Sequence, residues 1–104
     1  MAATAVTGTF SATGQSASFA PQRTGNKAPA TFNVTMRGTF SATVQLERSF
    51  DNGTNWHPIT AVGTAVYVWT APCSEVAEEP EEGVIYRLNC TVYSSGTVTY
   101  RLSQ

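Results

Sequence analysis

The sequence predicts an all-β fold, a two-layer antiparallel β-sandwich, and three observations carry that expectation. The first is composition. Sixteen of the 104 residues are threonine, which suits strands and is poor in helices, while charged residues make up only 12%. The second is the stretch from Arg37 to Thr60. There Phe40, Ala42, Val44, Leu46 and Phe50 fall on even numbers, and Thr39, Ser41, Thr43, Gln45, Glu47 and Ser49 on odd ones. That is the period of a strand with one buried and one wet face. The third is the number of such runs: about seven or eight alternating segments with no long helix, which in one short domain is a sandwich. Jelly-roll and immunoglobulin-like strand orders both fit the spacing.

The elements follow in order. Residues 1–13 read as a strand with Phe10 and Ala12 on one face, and Gly14 begins a turn into a short return carrying Ala17 and Phe19. Residues 21–30, PQRTGNKAPA, have no apolar period and read as an exposed loop, which holds Arg23 and Lys27. Phe32, Val34 and Met36 then point inward, and Gly38 marks either a bulge or a break between two strands. In the long strand that follows, only Arg48 interrupts the apolar set, near an end where its stem can reach water. Asp51, Asn52 and Gly53 supply a hairpin turn, and Trp56 begins the return. Residues 61–70, AVGTAVYVWT, are apolar on both faces, as in a central strand or a subunit interface; the interface is the reading favoured here.

Residues 71–83 change character, since five of the seven acidic residues lie there: Glu75, Glu78, Glu79, Glu81 and Glu82. A short helical turn capped by Ser74 and stopped by Pro80 fits residues 74–79. Val84, Tyr86, Leu88, Cys90 and Val92 then line one face of a strand, Ser94, Ser95 and Gly96 turn, and Val98, Tyr100 and Leu102 return as a second hairpin. That places the last residues in a sheet. The hexapeptide GTFSAT occurs at 8–13 and again at 38–43, too few copies for a repeat fold.

Length and charge bound the function. The chain is expected to be one domain, residues 1–104. A net charge of −1 argues against nucleic acid, and no segment has the length or polarity of a membrane span. The start lacks the basic and apolar regions of a secretory signal, which points to folding in the cytoplasm. Cys73 and Cys90 lack metal-ligand spacing, and Cys90 reads as a small buried hydrophobe in its strand.

Candidate chemistry is sparse. His57 has Trp56 and Pro58 as neighbours, and the one aspartate, Asp51, is explained by the turn. Pairing of His57 with Cys73 as a nucleophile is possible in principle, but nothing in the sequence brings them together, and no enzyme activity is expected. No cofactor is expected. The glutamate cluster has three readings: a solvated acidic loop, a docking site for a basic patch, or Ca²⁺ ligands without the usual alternation of Asp, Asn and Gly. Trp56, Tyr67, Trp69 and Tyr93 are candidates for stacking on sugar rings, and Tyr67 and Trp69 share one face of one strand.

Two resemblances add to this. Residues 49–56, SFDNGTNW, resemble the Asp-box hairpin S-x-D-x-G-x-T-W and depart from it at Asn55. That resemblance implies a hairpin and no activity. More widely, GTFSATGQSASF, VQLERSFDNGTNW and EEPEEGVIYRLNCTVYSSGTVTYRLSQ look like segments of small virion proteins of tailed bacteriophages and prophages. This implies a β-sandwich that assembles on a particle, often as a homotrimer or homodimer. Head decoration (cement) proteins of that kind brace capsomers from outside the shell, which would make the major capsid protein a partner and the virion the location. Small tail and fibre sandwiches of that kind bind host sugars, the alternative role. On the decoration reading, Arg23, Lys27, Glu75, Glu78, Glu79, Glu81 and Glu82 are expected shell contacts. Tyr67 and Trp69 are expected at the oligomer interface.

Overall fold

The computed structural model describes residues 3–23 and 29–104. Among them are eleven strands: β1 (Val6–Phe10), β2 (Gly14–Gln15), β3 (Ala30–Arg37), β4 (Phe40–Ser49), β5 (His57–Pro58), β6 (Thr60–Ala61), β7 (Thr64–Ala65), β8 (Val68–Trp69), β9 (Cys73–Glu79), β10 (Ile85–Gly96) and β11 (Val98–Ser103). No described residue is helical. The fold is all-β, as the sequence leads one to expect. It exceeds the expected seven or eight strands because β2, β5, β6, β7 and β8 are two-residue pieces.

Two antiparallel sheets hold the core. The first has the order β1-β11-β3-β9 and the second β2-β10-β4-β5, with β8 also on the β4 edge. Their facing sides close on Phe10, Phe32, Val34, Met36, Val98, Tyr100 and Leu102 from one sheet and Val44, Leu46, Tyr86, Leu88 and Cys90 from the other. The rings interlock across the gap: Phe32 of the first sheet lies 4.7 Å from Tyr86 of the second and 5.6 Å from Phe19. Each such fully buried side chain contributes about 1.5–3 kcal/mol.

A bent ribbon connects the two sheets. β3 and β11 pair in the first sheet with Arg37 opposite Thr99, and β4 and β10 pair in the second with Phe40 opposite Gly96. The β3–β4 and β10–β11 connections therefore cross between sheets at the same corner. Gly38 and Gly96 have φ of 118° and 86° there, and a Cβ on Gly96 would lie 2.7 Å from the Phe40 Cα. Only glycine fits that close approach of two backbones. The expected second hairpin is thus not one, because β10 and β11 belong to different sheets. The GTFSAT copies sit at two sheet-to-sheet passages, the first between β1 and β2 with Phe10 opposite Val98, the second inside this ribbon with Phe40 opposite Gly96.

Other expectations are corrected by the fold. Residues 74–79 are strand β9 and not a helical turn, because β3 offers them a full ladder from Met36–Cys73 to Ala30–Glu79. Residues 61–70 are not one strand. Val62 and Gly63, at φ 52° and 82°, form a tight turn between β6 and β7, and the chain then returns to β4 as β8. Val92 is 57% exposed, since a bulge after Cys90 sets it opposite Thr43 and turns Tyr93 inward opposite Ala42. Phe50 lies beyond the end of β4 and is 50% exposed, while Ser49 takes the buried place.

Candidate functional site

The Asp-box hairpin is built as a closed hydrogen-bond unit. The buried Ser49 hydroxyl donates to Asp51 Oδ1 at 2.8 Å and accepts the Gly53 N–H at 2.8 Å. Asp51 accepts the Asn55 backbone N–H at 2.8 Å and the Asn55 Nδ2 at 2.7 Å. The departure from the motif at Asn55 is therefore compensated, since the amide supplies a second donor to the same carboxylate. These bonds from Asn55 and Ser49 hold the Asp51 carboxyl down at about 2. The unit turns the chain and presents Trp56.

Trp56 lies on the outer face of the second sheet. Its ring is stacked 4.3 Å from the Arg87 guanidinium. Arg87 Nε donates to Glu47 at 2.8 Å, and Asn89 Nδ2 and Gln45 Nε2 donate to the other Glu47 oxygen at 2.9 and 2.5 Å. Gln15 extends the row through a 3.2 Å bond to Asn89. Glu47 is only 5% exposed. Burial pushes its carboxyl up, and the bonds from Asn89, Gln45 and Arg87 together outweigh that and hold it below its ordinary value. This network escaped sequence reading because Gln45, Glu47, Arg87 and Asn89 look like ordinary solvent-face residues; their registry across β4 and β10 is a tertiary fact.

The acidic segment divides in two. Glu79 is 1% exposed and cannot act as a shell contact. It points between the sheets, where it pairs with Arg48, accepts the Tyr86 hydroxyl at 2.6 Å and accepts the Glu81 N–H at 2.8 Å. Burial and this carboxylate neighbour push the Tyr86 phenol well above the usual range. Arg48 accordingly turns inward to Glu79 and does not run its stem out to water. Glu75, Glu78, Glu81 and Glu82 are exposed.

Arg23 joins the other half of this end of the sandwich. Its Nη2 donates to the Pro80 carbonyl at 3.0 Å, and Nη1 is 4.0 Å from Glu82. The loop start and the acidic segment, both expected as shell contacts, thus meet at Arg23. They line an open groove of about 510 Å³ with Gln22, Ala30 and Val84. Lys27 lies outside the described residues.

Tyr67 and Trp69 stack on each other at 5.7 Å and 16° and pack half-buried against the core. Trp69 is opposite Val44, on the inward side of β4. They do not share a face with Trp56, so the sugar-stacking candidates are split. Tyr93 is half-buried and its hydroxyl donates to the Gly96 carbonyl at 2.7 Å.

His57 meets the Phe50 ring at 5.8 Å, while Cys73 lies on the first sheet opposite Met36. Burial raises the Cys73 and Cys90 thiols, with Glu75 adding to the effect at Cys73. Both are free thiols.

The most exposed apolar feature is the β6–β7 hairpin. Val62 at its tip is fully exposed, and Val66 and Val68 at its base are 48% and 37% exposed. A 2.9 Å bond from the Val66 N–H to the Ile59 carbonyl closes its neck. In the sequence these valines read as one strand, because only the glycine of the Val-Gly pair carries a turn signal and a projecting hairpin has no periodic mark.

A scan against protein-family models finds no matching family, and searches of the curated proteins and of the solved structures return no match.

Proposed function

We propose that this chain is a non-catalytic structural protein of a tailed-phage virion, a capsid decoration or cement protein that binds the outer shell and braces capsomer contacts. The phage assignment draws on the resemblance of its sequence segments to small virion proteins. The observation that carries the docking role is Val62. A β-branched residue at positive φ is strained, and type I′ turns prefer Asn, Asp or Gly there. A fully exposed apolar side chain held at that cost suits an anchor that is buried in a partner's surface. Assembly in the host cytoplasm and action as a homo-oligomer on the major capsid protein belong to the same reading.

Replacing Val62 by Asn separates fold from function. The turn relaxes, so thermal stability is unchanged or raised, while binding to purified heads weakens by at least about tenfold if one buried apolar anchor is lost. Immunogold labelling of particles gives the location: even label over heads is expected. Val62→Asn binding heads as the parent does, or label absent from particles, would overturn the proposal.

A second reading, a glycan-binding module of a tail or fibre, is favoured by Trp56 and its row of planar polar groups, Arg87, Asn89, Gln45 and Gln15. Label confined to tail tips, with glycans quenching Trp56 fluorescence, would select it.

A further inference from the structure

β9 is an edge strand, and among the described residues its one ladder partner is β3. The other outer edges are shorter or covered: β1 has five residues and β2 has two, while β5 and β8 lie along the free side of β4. Edge strands are usually blunted by charged side chains, proline, a bulge or brevity. β9 runs seven residues with no proline or bulge inside it and Pro72 and Pro80 flanking it, so its guard is charge: Glu75 and Glu78 on the surface and Glu79 turned inward.

The direction of its open backbone is marked by Tyr67, whose hydroxyl reaches across the flank to the Val76 carbonyl at 3.5 Å. In an antiparallel ladder the N–H and C=O of one residue point the same way and alternate along the strand. Ser74, Val76 and Glu78 therefore turn their backbone groups outward. All three are exposed, Val76 at 61%. The Val76 carbonyl has a second lone pair to offer beside the tyrosine.

Charge selects the occupant. Glu75 and Glu78 flank Val76 on opposite faces of the strand, and Glu81 and Glu82 follow beyond Pro80. A second copy pairing through the same edge would bring these glutamates together, and like charges across a ladder destabilise it. A strand carrying basic side chains three residues apart would set one against each glutamate.

We propose that the free edge of β9 accepts an extended basic segment of a partner protein as an added strand, with backbone bonds at Ser74, Val76 and Glu78 and lysine or arginine facing Glu75 and Glu78. Main-chain bonds would supply affinity and the paired charges selectivity. The inference stands apart from the virion reading, since it concerns the isolated protein and a peptide.

The test uses the full chain and a synthetic peptide, acetyl-Thr-Val-Lys-Thr-Val-Lys-Thr-Val-amide, followed by NMR. Saturable binding is expected, with slowed amide exchange at Ser74, Val76 and Glu78. A peptide with glutamate for lysine should bind at least about tenfold more weakly. The Glu75→Lys/Glu78→Lys variant changes only exposed side chains and should invert that preference. A peptide N-methylated at its bonding amides keeps its charge and should lose binding. Equal binding by the N-methylated peptide would reduce the contact to loose charge attraction and overturn the proposal. Absence of saturation at millimolar peptide would overturn it, as would protection of the same amides in a self-associated form without peptide.

Discussion

At the scale of single residues, the charges that matter for this fold are those turned inward. Glu79 joins the two sheets, because Arg48 and Tyr86 come from the second and β9 from the first. Truncating one member of a buried pair leaves its partners desolvated and unsatisfied, which costs more than the pair contributes net. Glu79→Ala should therefore lose about 3 kcal/mol in urea unfolding, and Tyr86→Phe about 1–2 kcal/mol. Glu82→Ala, at an exposed position 4.0 Å from Arg23, should stay within about 0.5 kcal/mol. Equal losses at Glu79 and Glu82 would show that the inward clamp has no special weight.

At the scale of elements, the bent ribbon of β3–β4 and β10–β11 decides the architecture. Its corner depends on two backbones passing too closely for a side chain. Gly96 and Gly63 have similar φ, 86° and 82°, but nothing lies within 4 Å of a Cβ on Gly63. Gly63→Ala should then cost only the left-handed backbone penalty, about 1–2 kcal/mol. Gly96→Ala adds overlap with the Thr39 carbonyl and the Phe40 Cα, and should cost at least about 3 kcal/mol or prevent folding. Comparable thermal midpoints for the two variants would contradict a tight corner. The β10 bulge acts at this scale too, since one extra residue after Cys90 exchanges the faces of Val92 and Tyr93.

At the scale of the whole molecule, the sandwich is closed on one flank by Tyr67 and Trp69. They lie where the β4 side of one sheet stands over β9 of the other, and Tyr67 touches both through the Leu46 N–H at 3.0 Å and the Val76 carbonyl. An intramolecular role follows, whatever remains of their surface for a second subunit. Tyr67→Ser/Trp69→Ser should lose roughly 2–4 kcal/mol in the monomer. Sedimentation of the folded variant then tests the interface separately, and full stability with an altered oligomer mass would return both rings to the interface alone. Elsewhere, the Gln104 amide ties three segments by accepting the Ala3 and Gln22 N–H groups and donating to the Thr31 carbonyl. That tie has no periodic signature.

The sequence by itself determined the all-β class, the inward residues of β3, β4 and most of β10, and the Asp-box turn. Those follow from two-residue periodicity and local turn chemistry, which are written in neighbouring residues. Tertiary structure alone decided which strands share a sheet. Alternation identifies a strand's buried face and leaves its hydrogen-bond partners open, so β10 and β11 read as a hairpin when they belong to opposite sheets. The same reason hid the sites. Glu79 and Arg48 read as solvent groups until β9 and β4 were stacked, and Glu47 until β10 lay beside it. Val62 read as part of a strand until its positive φ exposed the turn. The open edge of β9 exists only because β3 already occupies the other side.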